Sequence, residues 1–227
     1  MRVLAIDTAL EACSAAVFDT ERADLRIHES MQMQRGHAEA LMPLIARLLD
    51  RASLDFSALD RIAVTVGPGS FTGMRVGIAA ARGIALAAGK PAIGLSTLAA
   101  FAAPFIAADD TLPVVAAINA RHDHVYLHVF GPGGQTLVSP RLVSLREALR
   151  MSATGAPRIT GTAANMLAAL WPAGERMPTS VEQRSAPNID WVARLGAAAI
   201  DTGAPPKPLY LRAPDAQPQD AAQLARR

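Results

Sequence analysis

The chain reads Gly67-Pro68-Gly69-Ser70-Phe71-Thr72-Gly73-Met74-Arg75-Val76-Gly77 between a continuous apolar run at 62–66 and a segment of small residues that ends at Ala88. An uninterrupted apolar run of this length is typical of a buried strand. The glycine and proline cluster predicts a sharp turn, after which Ser70 or Thr72 can cap a helix. The pattern therefore predicts a strand, a tight turn and a helix over 74–88.

The predicted helix at 74–88 carries only two polar side chains, Arg75 and Arg82, which share one stripe because they lie seven residues apart. Small residues recur every four positions, namely at Gly73, Gly77, Ala81 and Ala85. Such a helix must be covered on more than one side. The protein's own core can provide that cover, and so can a second chain, because small residues let another backbone approach closely. The pattern alone leaves both interpretations open.

The overall composition narrows the class of protein. A length of 227 residues allows one large domain or two small ones. The formal net charge is +2 and the basic residues are scattered, which argues against an autonomous nucleic-acid-binding surface. Cys13 is the one cysteine, so no disulfide framework is expected. The N-terminus leads directly into a strand pattern, and Pro104 interrupts the longest apolar stretch. We expect a soluble cytoplasmic protein.

The first half of the chain predicts a mixed sheet with helices packed on it. Strands are predicted at 3–7, 12–19, 25–31, 62–66 and 91–95, and helices after Gly36, over 74–88 and after Ser96. Pro43 lies inside the first helical pattern and should kink that helix or mark its effective start. The order β-β-β-α-β-α-β-α matches one half of a ribonuclease-H-like or actin-like architecture.

The second half begins after a boundary-like segment at 109–113. Strands are predicted at 114–119, 125–130, 135–138 and 208–212, and helices at 144–151, 163–170 and 190–200. We therefore predict a first lobe at 1–108, completed by part of 205–213, a smaller second lobe at 109–204 and a mobile polar tail at 214–227.

The glycine turn lies between a strand and a helix N-terminus, a position that can bind phosphate. It lacks the Gly-Lys-Ser/Thr of the P-loop, since Met74 follows Gly73, and its glycines miss the spacing of the dinucleotide fingerprint. Asp7 and Thr8 follow the first strand, where actin-like ATPases carry an acid and a glycine-rich hairpin, but no glycine follows here. A structural turn is the better interpretation, and we predict no cofactor and no catalytic residue.

Three histidines in the second half of the chain are candidate metal ligands. His122, His124 and His128 have even spacing, so a strand would place them on one face, where imidazoles could bind a metal. No carboxylate or cysteine of matching geometry accompanies them, and an exposed strand face is the simpler interpretation. His37 lies on a predicted helix with Leu41, rather than His or Glu, four residues later. We predict no metal site.

Several blocks of the sequence resemble the TsaB (YeaZ) family. They are the residues at 1–9 and 11–14, the glycine block at 67–77, and the segments at 94–98, 119–121, 125–126 and 208–212. The resemblance covers most of the chain and is weakest between about 140 and 200. The order Gly-Pro-Gly-Ser-Phe-Thr-Gly is its most specific part. The resemblance implies an α/β, actin-like or ribonuclease-H-like (ASKHA) two-lobed fold with mixed sheets.

The resemblance also implies a function. Members of this family are non-catalytic subunits that form a heterodimer with the related TsaD protein. TsaD carries the metal and transfers threonylcarbamoyl to the adenosine 3′ of the anticodon in tRNAs that read codons beginning with A. TsaE, an ATPase, joins the larger assembly, and tRNA is reached only through the complex. Two alternatives stay open: a homodimer through the same helices when the partner is absent, and a stand-alone actin-like ATPase or metallopeptidase-like hydrolase.

The family's contact with TsaD is a helical bundle from the first lobe, which maps onto the helix after Gly36 and the helix at 73–88. We therefore predict an interface with apolar side chains in its centre and two arginines at its rim. The predicted residues are Leu41, Leu44, Ile45, Leu48, Arg75, Val76, Ile78, Ala79 and Arg82.

Overall fold

Two mixed sheets of five strands each carry the helices of this chain. The structure, a computed structural model, describes residues 1–22, 25–153 and 155–212. The tail predicted at 214–227 lies outside these residues. Both sheets have the strand connectivity of ribonuclease-H-like domains, and together they form the predicted actin-like α/β fold.

The first sheet has the order β3-β2-β1-β4-β5. Its strands are β1 (Arg2–Asp7), β2 (Ala12–Asp19), β3 (Arg26–Gln32), β4 (Arg61–Gly67) and β5 (Ala92–Ser96). The first three form an antiparallel meander, whereas β4 pairs parallel to β1 and β5 pairs parallel to β4. All five were predicted from the sequence.

The second sheet repeats the first. Its strands are β6 (Val114–Asn119), β7 (His124–Phe130), β8 (Thr136–Ser144), β9 (Arg158–Gly161) and β10 (Ser180–Gln183). They run in the order β8-β7-β6-β9-β10 with the same pattern of antiparallel and parallel pairs. The sequence prediction missed β9 and β10, because four-residue strands between proline- and glycine-rich loops show no measurable period.

In the described part of the chain, six α-helices cover the sheets. They are α1 (His37–Ala52), α2 (Phe71–Ala88), α3 (Thr97–Ala108), α4 (Leu145–Ser152), α5 (Ala164–Ala169) and α6 (Ile189–Ala198). Helices α1 and α2 cover one face of the first sheet, and α6 packs on the other face. Helices α4 and α5 cover one face of the second sheet, while α3 packs on its other face and also contacts the first sheet.

The apolar face of α1 is buried in the protein's own core. Leu44, Ile45 and Leu48 have no exposed surface, and they pack with Leu4 and Ile6 of β1 and with side chains of α2. Pro43 lies inside the helix and does not mark its start, since α1 begins at His37.

Helix α6 contacts the first sheet, although the sequence analysis assigned the whole of 109–204 to the second lobe. Its approach to β4 is very close, because a Cβ atom on Gly196 would lie 2.3 Å from Ala63 Cβ. A local sequence pattern predicts that a helix has a buried face but does not say which sheet covers it. The segment at 205–212 also returns to the first lobe, where the Leu209 N–H donates to the Val66 carbonyl at 2.8 Å. It forms no strand, contrary to the prediction for 208–212.

Length and composition alone would also allow α2 to cross a membrane. The core helix of a soluble protein can meet the same criterion. In this structure α2 packs on the first sheet, with Gly77, Ile78 and Ala81 buried against β1, β4 and α1.

A buried arginine ties the second sheet to the segment that joins the two lobes. Arg158 Nη1 donates to the Phe105 carbonyl at 2.7 Å. Its Nη2 donates to the carbonyls of Asp109 and Leu112. Two of these three acceptors lie at the end of α3, where carbonyl groups lack partners within the helix. Arg158 therefore fixes the predicted boundary segment at 109–113 to β9.

Replacing Arg158 with Met should lower the free energy of unfolding by about 2–4 kcal/mol, because three carbonyl groups would lose a charged donor. Urea unfolding followed by circular dichroism measures this change. The matched control is Arg150→Met on the exposed side of α4, which should change stability by less than about 0.5 kcal/mol. Equal effects of the two substitutions would contradict the assigned role.

Candidate partner-binding surface

The glycine turn packs directly against the turn that joins β1 to β2. Thr8 Oγ1 donates to the Gly73 carbonyl at 2.7 Å. The Ser70 N–H donates to the Ala9 carbonyl at 2.7 Å. A Cβ atom on Gly73 would lie 2.1 Å from the Thr8 carbonyl oxygen, and one on Gly69 would lie 2.2 Å from that of Ala9. The glycines are therefore required for a close approach of two backbone segments, as the structural interpretation of this turn predicted.

This contact lies at the glycine turn before α2, the position that the sequence analysis considered as a possible phosphate-binding site. Ser70 caps α2, since its side chain accepts the Gly73 N–H at 3.3 Å. The Ser70 N–H and the Gly73 N–H are thus both used inside the protein. The first of the two possible caps, Ser70 rather than Thr72, is confirmed.

Asp7 lies fully buried at the end of β1. Its Oδ1 accepts hydrogen bonds from the Thr65 hydroxyl and from the Ala9 N–H, the latter at 3.2 Å, while its Oδ2 has no partner among the described residues. Burial raises the pKa of Asp7 to about 6, although the hydrogen bonds from Thr65 and Ala9 favour the charged form. The side chain thus holds the β1–β2 turn at an electrostatic cost.

The structure does not place the three histidines on one exposed strand face. His122 lies in the β6–β7 turn with a φ of 50°, and β7 begins only at His124. His128 is buried, where its Nε2 contacts Thr136 Oγ1 at 3.2 Å, and burial lowers its pKa to about 4. Within the described ranges, no three His, Cys, Asp or Glu side chains come together in a way that could hold a metal ion.

The candidate partner-binding surface is formed by the outer sides of α1 and α2. On α1, Arg47 pairs with Glu29 of β3, so that flank of the helix faces the sheet edge. Met42 lies on the opposite flank, toward α2, and is 44% exposed. We define the α1–α2 face by Met42 together with the outward residues of α2, which are Val76, Ala79, Gly83 and Leu86.

The predicted interface residues divide between the core and this surface. The structure corrects five of them, since their side chains are buried and cannot contact a partner: Leu41, Leu44, Ile45, Leu48 and Ile78. Apolar periodicity located the buried stripe of α1, and the prediction mistook that stripe for the outer one. Ala79, Arg75 and Arg82 are exposed and Val76 is half-buried, so these four positions are accessible.

Arg75 is held by the C-terminal segment. Its guanidinium lies 3.8 Å from the centre of the Phe71 ring, and its Nε donates to the Tyr210 hydroxyl at 2.9 Å. The Phe71 and Tyr210 rings stack with centroids 5.6 Å apart. Two segments that carried the family resemblance, 67–77 and 208–212, thus meet at the start of α2. The sequence alone does not predict this contact, because nothing local to either segment indicates the other.

Gly83 differs from the other glycines of α2. A Cβ atom on Gly73 or Gly77 would meet an atom of Thr8 within 2.5 Å, whereas one on Gly83 would meet nothing within 4 Å. Glycine inside a helix costs about 0.5–1 kcal/mol relative to alanine. The described part of the protein therefore gives no packing reason for glycine at this exposed position.

Comparisons with known proteins find relatives of this chain in sequence and in structure. The family model described as TsaD, tRNA N6-adenosine threonylcarbamoyltransferase, matches residues 30–196. The TsaB protein of Escherichia coli is 39% identical over 127 residues, which are 56% of this chain and 53% of that protein. An uncharacterized protein of Mycobacterium tuberculosis is 36% identical over 220 residues, which cover 95% of this chain and 94% of that protein. YeaZ from Pseudomonas aeruginosa superposes with a TM-score of 0.78 at 29% identity, covering 92% of this chain and 99% of that one.

The fold and the site define an α/β protein of the actin-like class. In this protein a glycine turn packs against the first hairpin. The chain belongs to the TsaB (YeaZ) family. It spans about half the length of the curated TsaB proteins that it matches, 53% for Escherichia coli and 52% for Haemophilus influenzae.

Alanine substitutions at two glycines of α2 should have opposite effects on stability. Gly73→Ala should destabilise the fold by about 2–4 kcal/mol, because the new Cβ would collide with a backbone carbonyl 2.1 Å away. Gly83→Ala should stabilise it by about 0.5–1 kcal/mol, because the gain in helix propensity meets no steric cost. Urea unfolding of both variants measures the difference, and each serves as the control for the other. Changes of the same sign would contradict this account of the two glycines.

The raised pKa of Asp7 predicts a specific pH dependence. Between about pH 4 and pH 6 the unfolded chain loses the Asp7 proton while the folded protein keeps it, so stability falls as pH rises. The rise of the Asp7 pKa from its ordinary value of 3.8 to about 6 corresponds to about 3 kcal/mol. Asp7→Asn should therefore gain about that much relative to the unsubstituted protein between pH 4 and pH 7. Urea unfolding at several pH values tests this, and a constant difference between the two proteins would refute it.

Proposed function

We propose that this chain is a non-catalytic subunit that binds and activates a TsaD-type transferase in the cytoplasm. In this proposal TsaD attaches threonylcarbamoyl to the adenosine 3′ of the anticodon in tRNAs that read codons beginning with A. The relative in Escherichia coli is named tRNA threonylcarbamoyladenosine biosynthesis protein TsaB, which supports a part in this pathway. The matching family model bears the name of the transferase itself, which supports a common origin of the subunit and its partner.

The observation that carries the proposal is the exposed position of Gly83 on the α1–α2 face. Gly83 lies one helical turn after Ala79, which is also small and exposed, and Met42 of α1 borders the same surface. Small residues flanked by a flexible, apolar methionine suit a helix-to-helix contact with a second protein. A partner helix that approached Gly83 closely would account for the glycine at that position.

The environment of the glycine turn supports a subunit that binds rather than catalyses. Thr8 and Ala9 lie against the start of α2, and their contacts use the Thr8 hydroxyl and the Ser70 N–H, two donors that could otherwise bind a phosphate. The competing hypothesis, a stand-alone ATPase or metallopeptidase-like hydrolase, would need this contact to open. No feature of the described residues favours that rearrangement.

The same surface limits which assemblies can coexist. A homodimer through the α1–α2 face and a heterodimer with TsaD would use the same residues, so one excludes the other. TsaE would join the TsaD-bound form, and tRNA would be reached through that complex, in keeping with the net charge of +2.

A charge placed on the α1–α2 face should weaken the binding of this chain to TsaD. Ala79→Glu should weaken binding to purified TsaD by about 100-fold, because a carboxylate would be buried in the interface without a partner. Isothermal titration calorimetry measures the affinity, and reconstituted threonylcarbamoylation of tRNA should fall in parallel.

The matched control is Ala169→Glu, which adds the same charge at an exposed position of α5 in the second lobe. It should bind TsaD as the unsubstituted chain does. Circular dichroism of both variants establishes that they fold. If folded Ala79→Glu binds TsaD with unchanged affinity, the α1–α2 face is not the contact and the proposal is wrong.

A further inference from the structure

A groove runs beside the last two turns of α2. Its volume is about 630 Å³, and three segments line it: the end of α2, the turn into β5, and residues 201–205. This size is within the range of sites that hold a ligand or several side chains. The groove lies at the end of α2 opposite to the glycine turn, so it is separate from the contact that surrounds Asp7.

The walls of the groove are fixed without any ligand. Arg61 Nη1 donates to the carbonyls of Gly196 at 2.9 Å and Ala199 at 2.8 Å, which anchors the chain just before the groove. The Asp201 carboxylate accepts the Gly203 N–H at 2.8 Å, and this hydrogen bond holds the turn at 201–203 that forms part of the wall. Beyond the groove, buried Pro206 packs against Gly94 of β5. A segment held at both ends and in its middle forms a surface that is organised in advance of binding.

The surface of the groove combines exposed apolar side chains with cations. Leu86 lines it and is 84% exposed, and Ile200, next to the lining residue Asp201, is 87% exposed. They are the two most exposed large apolar side chains in the described part of the protein. Arg82 and Lys90 also line the groove, and neither forms an ion pair within the described residues. An occupant that matches this surface has an apolar side chain next to a negative charge.

A second copy of this chain fits the groove less well than a different protein does. The groove lining contributes two cations, Arg82 and Lys90, and a second copy would present the same cations in a twofold contact that included this patch. Like charges brought together in this way disfavour the contact. The groove lining carries two cations, Arg82 and Lys90, against one carboxylate, Asp201, whose side chain accepts the Gly203 N–H. The excess of positive charge therefore favours a partner that supplies carboxylates.

We infer that this groove receives a segment of the protein that binds the α1–α2 face. The segment places a large apolar side chain against Leu86 and Ile200, and a carboxylate between Arg82 and Lys90. This inference rests on the proposed function, because Gly83 and Leu86 line the groove and also belong to the α1–α2 face. The groove extends the interface beyond the helices to the 201–205 segment.

Substitutions at the far wall and the turn test the groove without touching the α1–α2 face. Lys90→Glu and Ile200→Ser should each weaken binding to purified TsaD by about tenfold, whereas Lys90→Arg should stay within about twofold. The loss in Lys90→Glu should shrink at high salt, because screening weakens the repulsion between carboxylates. Lys90 also follows the C-terminus of α2, where a cation stabilises the helix, but that role would change the unfolding transition and not the affinity.

Arg150→Glu, an equal change of charge on exposed α4, is the control for Lys90→Glu. If both groove variants bind TsaD as this control does while Ala79→Glu does not, the groove inference is wrong and the proposed function stands. If Ala79→Glu also binds normally, both fail. A photoreactive benzoylphenylalanine at position 200 should crosslink to a TsaD peptide that contains Asp or Glu beside an apolar residue. A crosslink to a second copy of this chain would overturn the inference.

Discussion

The hydrogen bond from Thr8 to the Gly73 carbonyl, 2.7 Å long, sits in the contact on which the rest of the first lobe depends. It lets the start of α2 rest against the β1–β2 turn at a distance that no side chain on Gly69 or Gly73 would allow. That approach fixes the direction of α2 across β4, and hence the surface that α2 presents to solvent. Buried Asp7, held by the Thr65 hydroxyl and the Ala9 amide, fixes the other half of the contact.

The glycines of α2 show why residue type and location must be considered together. Gly73 and Gly77 are required by close contacts with Thr8, so the packing of the fold explains both glycines. Gly83 has the same identity and lies on the same helix, but no atom of the described protein approaches its missing side chain. In the proposed complex, the close approach of a partner helix would offset the cost of about 0.5–1 kcal/mol that glycine carries inside a helix.

The sequence predicted those parts of the structure that depend on neighbours along the chain. The meander of β1 to β3, the strand β4 and the cap Ser70 follow from apolar periodicity and turn residues, and all were found. Periodicity also located the apolar stripe of α1, but it does not state what covers that stripe, so Leu44 was assigned to a partner instead of the core. The stacking of Phe71 on Tyr210 joins residues 139 positions apart in the chain, and no local signal reports such a contact.

The repeat of one topology in both lobes allows their helices to be compared pair by pair, and the proposed interface uses the longer pair. In each lobe one helix follows the meander and another follows the fourth strand, so α1 corresponds to α4 and α2 to α5. The first-lobe helices have 16 and 18 residues, and their counterparts have 8 and 6. A six-residue helix spans less than two turns and cannot present a continuous face to another helix. The helices after the fifth strands, α3 and α6, instead cross to the other lobe's sheet. This exchange couples the lobes, and among the described residues it leaves the outer sides of the long helices α1 and α2 exposed.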